Sequence, residues 1–145
     1  MTPRLLSAFF EAFRRDYYER LNTVSSEDDW QGWFDYFLNT VIRQCEDALS
    51  RAERIDVLLE GWKSIVSGMT PKAAYPLVQS LAANPYVTPQ GVEKELNVSF
   101  NTANKAIQVL ENKGILTQLG DAKRDRVYRA ETVLEILKEP ASLTP

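Results

Sequence analysis

The segment from Thr88 to Gly114 constrains the fold most, because it carries the end signals of two consecutive short helices. Thr88-Pro89 combines a favoured N-cap with a proline at the first helical position. Ser99 is a second N-cap residue, and Gly114 stands where a helix commonly ends with a positive φ. Apolar residues at helical spacing fill the interval: Val92, Leu96, Val98, Ala103, Ile107 and Leu110. The pattern predicts two crossed helices, the first ending at Asn97.

The residues around this helix pair complete the order of a winged helix. The flanking elements predicted are a helix over 73–83, β-like runs over 115–118 and 127–129, and a last helix over Glu131–Lys138. A polar and basic loop over 119–126 separates the two β-like runs. Residues 72–139 are therefore expected to form a winged helix-turn-helix with a small β-hairpin.

Residues 1–67 are expected to form a helical bundle segment. Apolar residues near helical spacing predict its first helix: Leu5, Leu6, Phe9, Phe10, Phe13, Tyr17, Tyr18 and Leu21. Residues 22–29 are polar and are predicted to be a loop, with Ser26 or Asp28 capping the next helix. That helix runs from Trp30 to about Trp62, a length that suggests a break between Ser50 and Glu60. The breaker residues of SGMTP at 67–71 separate the halves, and the expected fold class is mainly α.

The absence of histidine and the single cysteine, Cys45, exclude most catalytic and metal sites. A Ser-His-Asp or Cys-His arrangement and the usual zinc sets cannot be built from this chain. No glycine-rich phosphate loop is present either. We therefore expect no enzyme activity, cofactor, metal or small-molecule substrate. One cysteine indicates a reducing cytoplasm, and no apolar run approaches the ~20 residues of a membrane span.

The distribution of charge favours nucleic-acid binding by the second half only. Residues 1–71 hold 8 basic and 12 acidic side chains, whereas residues 99–130 hold 6 basic and 3 acidic ones. The second helix of the pair and the loop after it supply the candidate contacts with double-stranded DNA: Ser99, Asn101, Thr102, Asn104, Lys105, Gln108, Lys123, Arg124 and Arg126. Amide side chains can pair with adenine, and hydroxyl and cationic groups can contact phosphate. An ordinary solvated helix face, or a winged helix that binds protein, fits the same residues.

Aromatic residues crowd the first half of the chain. The cluster comprises Phe9, Phe10, Phe13, Tyr17, Tyr18, Trp30, Trp33, Phe34 and Phe37. Such a cluster is more often core or interface than ligand cage. Two helices cannot surround so many rings, so a homodimer or a partner domain is expected to complete their burial.

The residues RDYYERLNTVSSEDDWQGWFDYFL resemble the helices that follow the catalytic motif of the Fic family, whose members transfer AMP or related groups to protein hydroxyls. The matching features are the paired tyrosines Tyr17-Tyr18, the Asp29-Trp30 step and Trp33. The segment VTPQGVEKELNVSFNTANKAIQVLENKGIL followed by RVYRA is similar to the winged-helix domain at the C-terminus of many Fic proteins. The resemblance covers most of the chain.

One departure from that family determines what the resemblance implies. The Fic motif HPFxxGNGRxxR, with its histidine base and anion-binding turn, does not occur here, so no catalytic residue carries over. The family's inhibitory pattern is not met, because Asp56 stands where a Ser or Thr is required before Glu60-Gly61. The resemblance implies a non-catalytic C-terminal module that binds DNA in transcription regulation. The alternative is a dimerisation or interaction module that regulates or positions an AMP-transferase (AMPylation).

Overall fold

A computed structural model describes residues 14–139 of the chain. The helices are α1 (Arg14–Glu27), α2 (Trp30–Val66), α3 (Ala74–Ser80), α4 (Pro89–Leu96), α5 (Phe100–Asn112) and α6 (Glu131–Lys138). The strands are β1 (Tyr86–Val87), β2 (Thr117–Gln118) and β3 (Tyr128–Arg129). The chain divides into two compact units, one containing residues 14–50 and one spanning Arg51–Glu139. The mainly α fold class, with a helical segment and a winged helix-turn-helix bearing a small β-hairpin, is confirmed.

The polar stretch before Trp30 is helical over 22–27, where its prediction as a loop is wrong, and only Asp28 and Asp29 lie between the two helices. α1 continues to Glu27, and its hydroxyl side chains bond back to the helix: Ser26 Oγ donates to Asn22 O at 2.9 Å. Asp28 adopts a φ of 57°, and the cap of α2 is Asp29, whose Oδ1 accepts from Gly32 N–H at 2.9 Å. Neither Ser26 nor Asp28 is that cap. A Cβ at position 32 would lie 2.2 Å from Asp29 Oδ2, so glycine permits this close approach.

The helix α2 is continuous over its 37 residues, and the break expected between Ser50 and Glu60 does not occur. The reason is local, since that interval contains neither proline nor glycine. In the first unit Tyr17 of α1 meets Trp33 of α2 edge to face, with ring centroids 5.3 Å apart. The predicted helix residues Leu5, Leu6, Phe9, Phe10 and Phe13 lie outside the described residues.

The second unit begins at Arg51, earlier than the boundary predicted at 67–71. The difference arises because the last four turns of α2 belong to its core through the buried residues Ile55, Leu59, Trp62 and Val66. From the other elements the same core takes Leu77, Val78, Leu81, Val92, Ala103, Ala106, Ile107, Leu110, Leu116, Tyr128 and Val133. Arg54 also joins Glu139 after α6 through two bonds, one of 2.8 Å between Nη2 and Oε1.

The ends of the helix pair match the sequence prediction. Thr88 Oγ1 accepts from Gly91 N–H at 3.1 Å, and Pro89 opens α4. Asn97 ends α4 in the left-handed region with a φ of 51°. Gly114 follows α5 with a φ of 71°, and its N–H donates to Glu111 O at 2.9 Å. These ends fix the length and phase of α5, and therefore which of its side chains reach solvent.

The sheet is antiparallel, with strands in the order β1-β3-β2. Its hairpin of β2 and β3 was predicted, although each strand has only two residues. The strand β1 was not predicted, because it is specified by tertiary pairing: Tyr86 faces Arg129 and Ala130 N–H donates to Pro85 O at 2.8 Å. The helix predicted over 73–83 is shorter, since Ala83 and Asn84 turn back to the carbonyl of Ser80. Among the described residues, no helix has the length and apolarity required to cross a membrane.

Candidate nucleic-acid interface

The helix α5 is strongly two-sided. Its inner face consists of Ala103, Ala106, Ile107 and Leu110, each with no solvent exposure. Asn101, Lys105 and Gln108 are exposed, and Thr102 is half-buried. The structure thus brings three of the predicted contact residues together on one open face, where the donors and acceptors of a major groove could meet them.

Ser99 has a structural role at the start of this helix. Its Oγ accepts from Thr102 N–H at 3.2 Å and lies 2.9 Å from Thr102 Oγ1. The hydroxyl therefore holds the first turn of α5 in place, as its prediction as an N-cap requires. Because Ser99 is also exposed, the same side chain can meet a phosphate that approaches the helix N-terminus.

Asn104 and Arg126 are paired with each other. Arg126 Nη2 lies 3.4 Å from Asn104 Oδ1, and both side chains are half-buried. Arg126 is one of the predicted DNA contacts, but the structure places it against α5. This contact connects the hairpin to the helix and leaves the amide NH₂ of Asn104 as a donor.

The loop between β2 and β3, which we call the wing, is closed by a residue that the sequence did not single out. Gln118 Nε2 donates to Gly120 O and to Ala122 O, each at 3.0 Å. Lys123 and Arg124 are exposed beyond this closure. The wing therefore exposes Lys123 and Arg124 beyond the Gln118 hydrogen bonds, close in sequence to the half-buried Arg126.

Phe100 is a second feature that sequence reasoning missed. It is 45% exposed at the first position of α5. It lines a cleft of about 260 Å³ between the start of α4 and the wing, shared with Lys123, Asp125 and Arg126. Helical spacing puts Phe100 on the same face of α5 as Ala103 and Ile107, one turn before the buried residues begin. That position in the sequence could have predicted a partly exposed aromatic ring.

One titratable side chain near the wing has a shifted pKa. Burial raises the pKa of the Tyr128 phenol beneath the wing, opposed by the nearby charge of Arg126, so this group remains neutral at physiological pH. Among residues 14–139 no group of three or more His, Cys, Asp or Glu is placed to hold a metal ion. No family model matches the chain.

Proposed function

We propose that the second unit binds double-stranded DNA, with α5 in the major groove and the wing on the adjacent backbone. The observation that carries the proposal is the open face of Asn101, Lys105 and Gln108 beside a wing that exposes Lys123 and Arg124. Amides at the start of α5 suit adenine edges, and the cations suit phosphates on either side.

The proposal extends to the whole chain as a non-catalytic, cytoplasmic module of a Fic family protein that acts in transcription regulation. Its support is the order of residues from Val87 to Ala130, together with the Tyr17-Tyr18 and Asp29-Trp30 steps. A chain without histidine lacks the base on which that family's AMP transfer depends. Incubation of the chain with labelled ATP and candidate proteins should leave all of them unlabelled.

Fluorescence anisotropy with labelled 20-base-pair duplexes tests DNA binding. The affinity should fall steeply between 50 and 200 mM salt, with a log–log slope of about −0.9 for each phosphate contacted. The double variant Lys105→Ala with Arg124→Ala should make that slope less steep by about 1.8. Lys113→Ala is the matched control, because this exposed lysine caps the far end of α5, about 20 Å along the helix from Ser99. Absence of binding at low salt would overturn the proposal.

We also propose that the chain forms a homodimer through α2, because the first unit exposes an apolar stripe. Trp30, Phe34, Leu38 and Ile42 follow one another at steps of four, and each is 53–54% exposed. A two-fold axis places the same stripe on both copies, so each would cover the other. Light scattering after size exclusion should give a dimer, and Leu38→Glu should give a monomer. Asn39→Glu adds the same charge about 100° around the helix and should leave the dimer intact.

A further inference from the structure

We propose that Phe100 reads the 5-methyl group of a thymine in the major groove. This inference rests on the proposed DNA binding and names a residue and a base group within it. It begins from Phe100 itself, which is 45% exposed while the inner residues of α5 are fully buried. A side chain so placed buries part of its ring and leaves the rest available to a ligand.

The surroundings of Phe100 indicate what that ligand is. The cleft beside it is bordered by the exposed Gln90 of α4 and, on the wing, by the cations Lys123 and Arg126 and the anion Asp125. A hydrophobic partner protein would have to strip water from these polar and cationic groups. DNA offers phosphates for the cations and an isolated apolar group for the ring.

The position of Phe100 on α5 selects the base. Recognition helices meet base edges with their N-terminal residues, and Phe100 is the first residue of α5. Among the four bases only thymine presents a methyl group in the major groove, and apolar side chains contact it there. Asn101, next along the helix and exposed, can pair with the adenine of a neighbouring step. Together they would read an A·T-containing sequence.

The test compares thymine with uracil, which lacks the methyl group. A 20-base-pair duplex is first selected from a random library with the unaltered protein. Each thymine of the winning duplex is then replaced singly by uracil, and affinity is measured by anisotropy. At one position per recognition helix the substitution should weaken binding about fourfold, the effect of burying one methyl group. Phe100→Ala should bind the thymine and uracil duplexes equally.

Two further variants separate base reading from folding. Phe100→Leu keeps an apolar group at the cleft and should retain part of the thymine preference. Asn101→Ala should lower affinity for both duplexes and preserve their ratio. Circular dichroism must show that each variant is folded. A thymine-to-uracil ratio of one at every position in the unaltered protein would overturn this inference while DNA binding stands. A ratio that persists in folded Phe100→Ala would overturn it too, and failure to select any duplex would overturn both proposals.

Discussion

Ser99 caps α5 and is also a proposed phosphate contact. Two substitutions at this position should separate its effect on stability from its effect on DNA affinity. Ser99→Ala removes the acceptor that holds Thr102 N–H at 3.2 Å. Loss of an N-cap hydroxyl costs about 1 kcal/mol of unfolding free energy, or roughly 4–8 °C in Tm for a unit of this size. Its effect on DNA affinity should be small, because one neutral contact is lost.

Ser99→Asp should preserve stability and weaken DNA binding. Aspartate caps a helix as well as serine and interacts favourably with the helix N-terminus, so stability should stay within about 0.5 kcal/mol of the unaltered chain. Its carboxylate would stand about 5 Å from an approaching phosphate, where repulsion is about 1–3 kcal/mol at effective dielectrics between 80 and 20. DNA affinity should therefore fall by a factor between about 5 and 160.

The two variants are compared by calorimetry for stability and by anisotropy at 50 mM salt for affinity. Thr132→Asp is the matched control, because it adds the same charge to the first turn of α6 at an exposed position. It should keep nearly full DNA affinity. If folded Ser99→Asp bound duplex DNA as tightly as the unaltered chain, the N-terminus of α5 could not lie against the DNA, and the proposed docking would be refuted.

Three further predictions concern the second unit. Ile107→Ala should lower unfolding free energy by about 2–5 kcal/mol in denaturant titrations, because the side chain is fully buried, whereas Gln108→Ala should change it by less than about 0.5 kcal/mol. Asp125→Asn should tighten duplex binding about twofold or more at 50 mM salt, since asparagine tolerates the φ of 51° there and an anion is removed from the wing; unchanged affinity would place the wing away from DNA. The Arg54 hydrogen bond holds the pKa of Glu139 below its usual 4.5. The stabilisation from this pair is therefore present above pH 4.5 and is lost as the pH falls through the lower pKa of the folded state. In thermal melts from pH 7 to pH 3, Glu139→Gln should have a lower Tm than the unaltered chain near pH 7 and the same Tm near pH 3.

The sequence predicted best where one residue type decides the backbone locally. The hydroxyls of Thr88 and Ser99 cap the first turns of α4 and α5, and Gly114, which has no side chain, adopts the positive φ that follows α5. These local preferences do not depend on distant contacts. The bounds of α6 and the inner face of α5 followed from spacing alone. Of the candidate contact residues on α5, Asn101, Lys105 and Gln108 are exposed, whereas Thr102 and Asn104, which were also predicted to be exposed, are half-buried.

Prediction failed where the decisive contact is distant or ambiguous. Residues 22–27 have loop composition, yet hydroxyls that bond to the preceding turn fit a helix equally well. The strand β1 exists only because β3, some forty residues later, pairs with it. The pairing of Arg126 with Asn104 is likewise invisible in the sequence, since it depends on how the hairpin folds back on α5.

The charge of the chain bears on how the two proposals combine. The net charge is −3, so the field of the whole protein repels DNA, and screening leaves only charges within about 8 Å of a phosphate effective at physiological salt. One recognition helix and one wing place few cations in that range, which favours weak binding by a single copy. If two copies held together contact the same duplex, those contacts double and the second binding event becomes intramolecular. Under the two proposals together, we expect tight binding from two copies on one duplex, with a site that contains the thymine step twice, related by a two-fold axis.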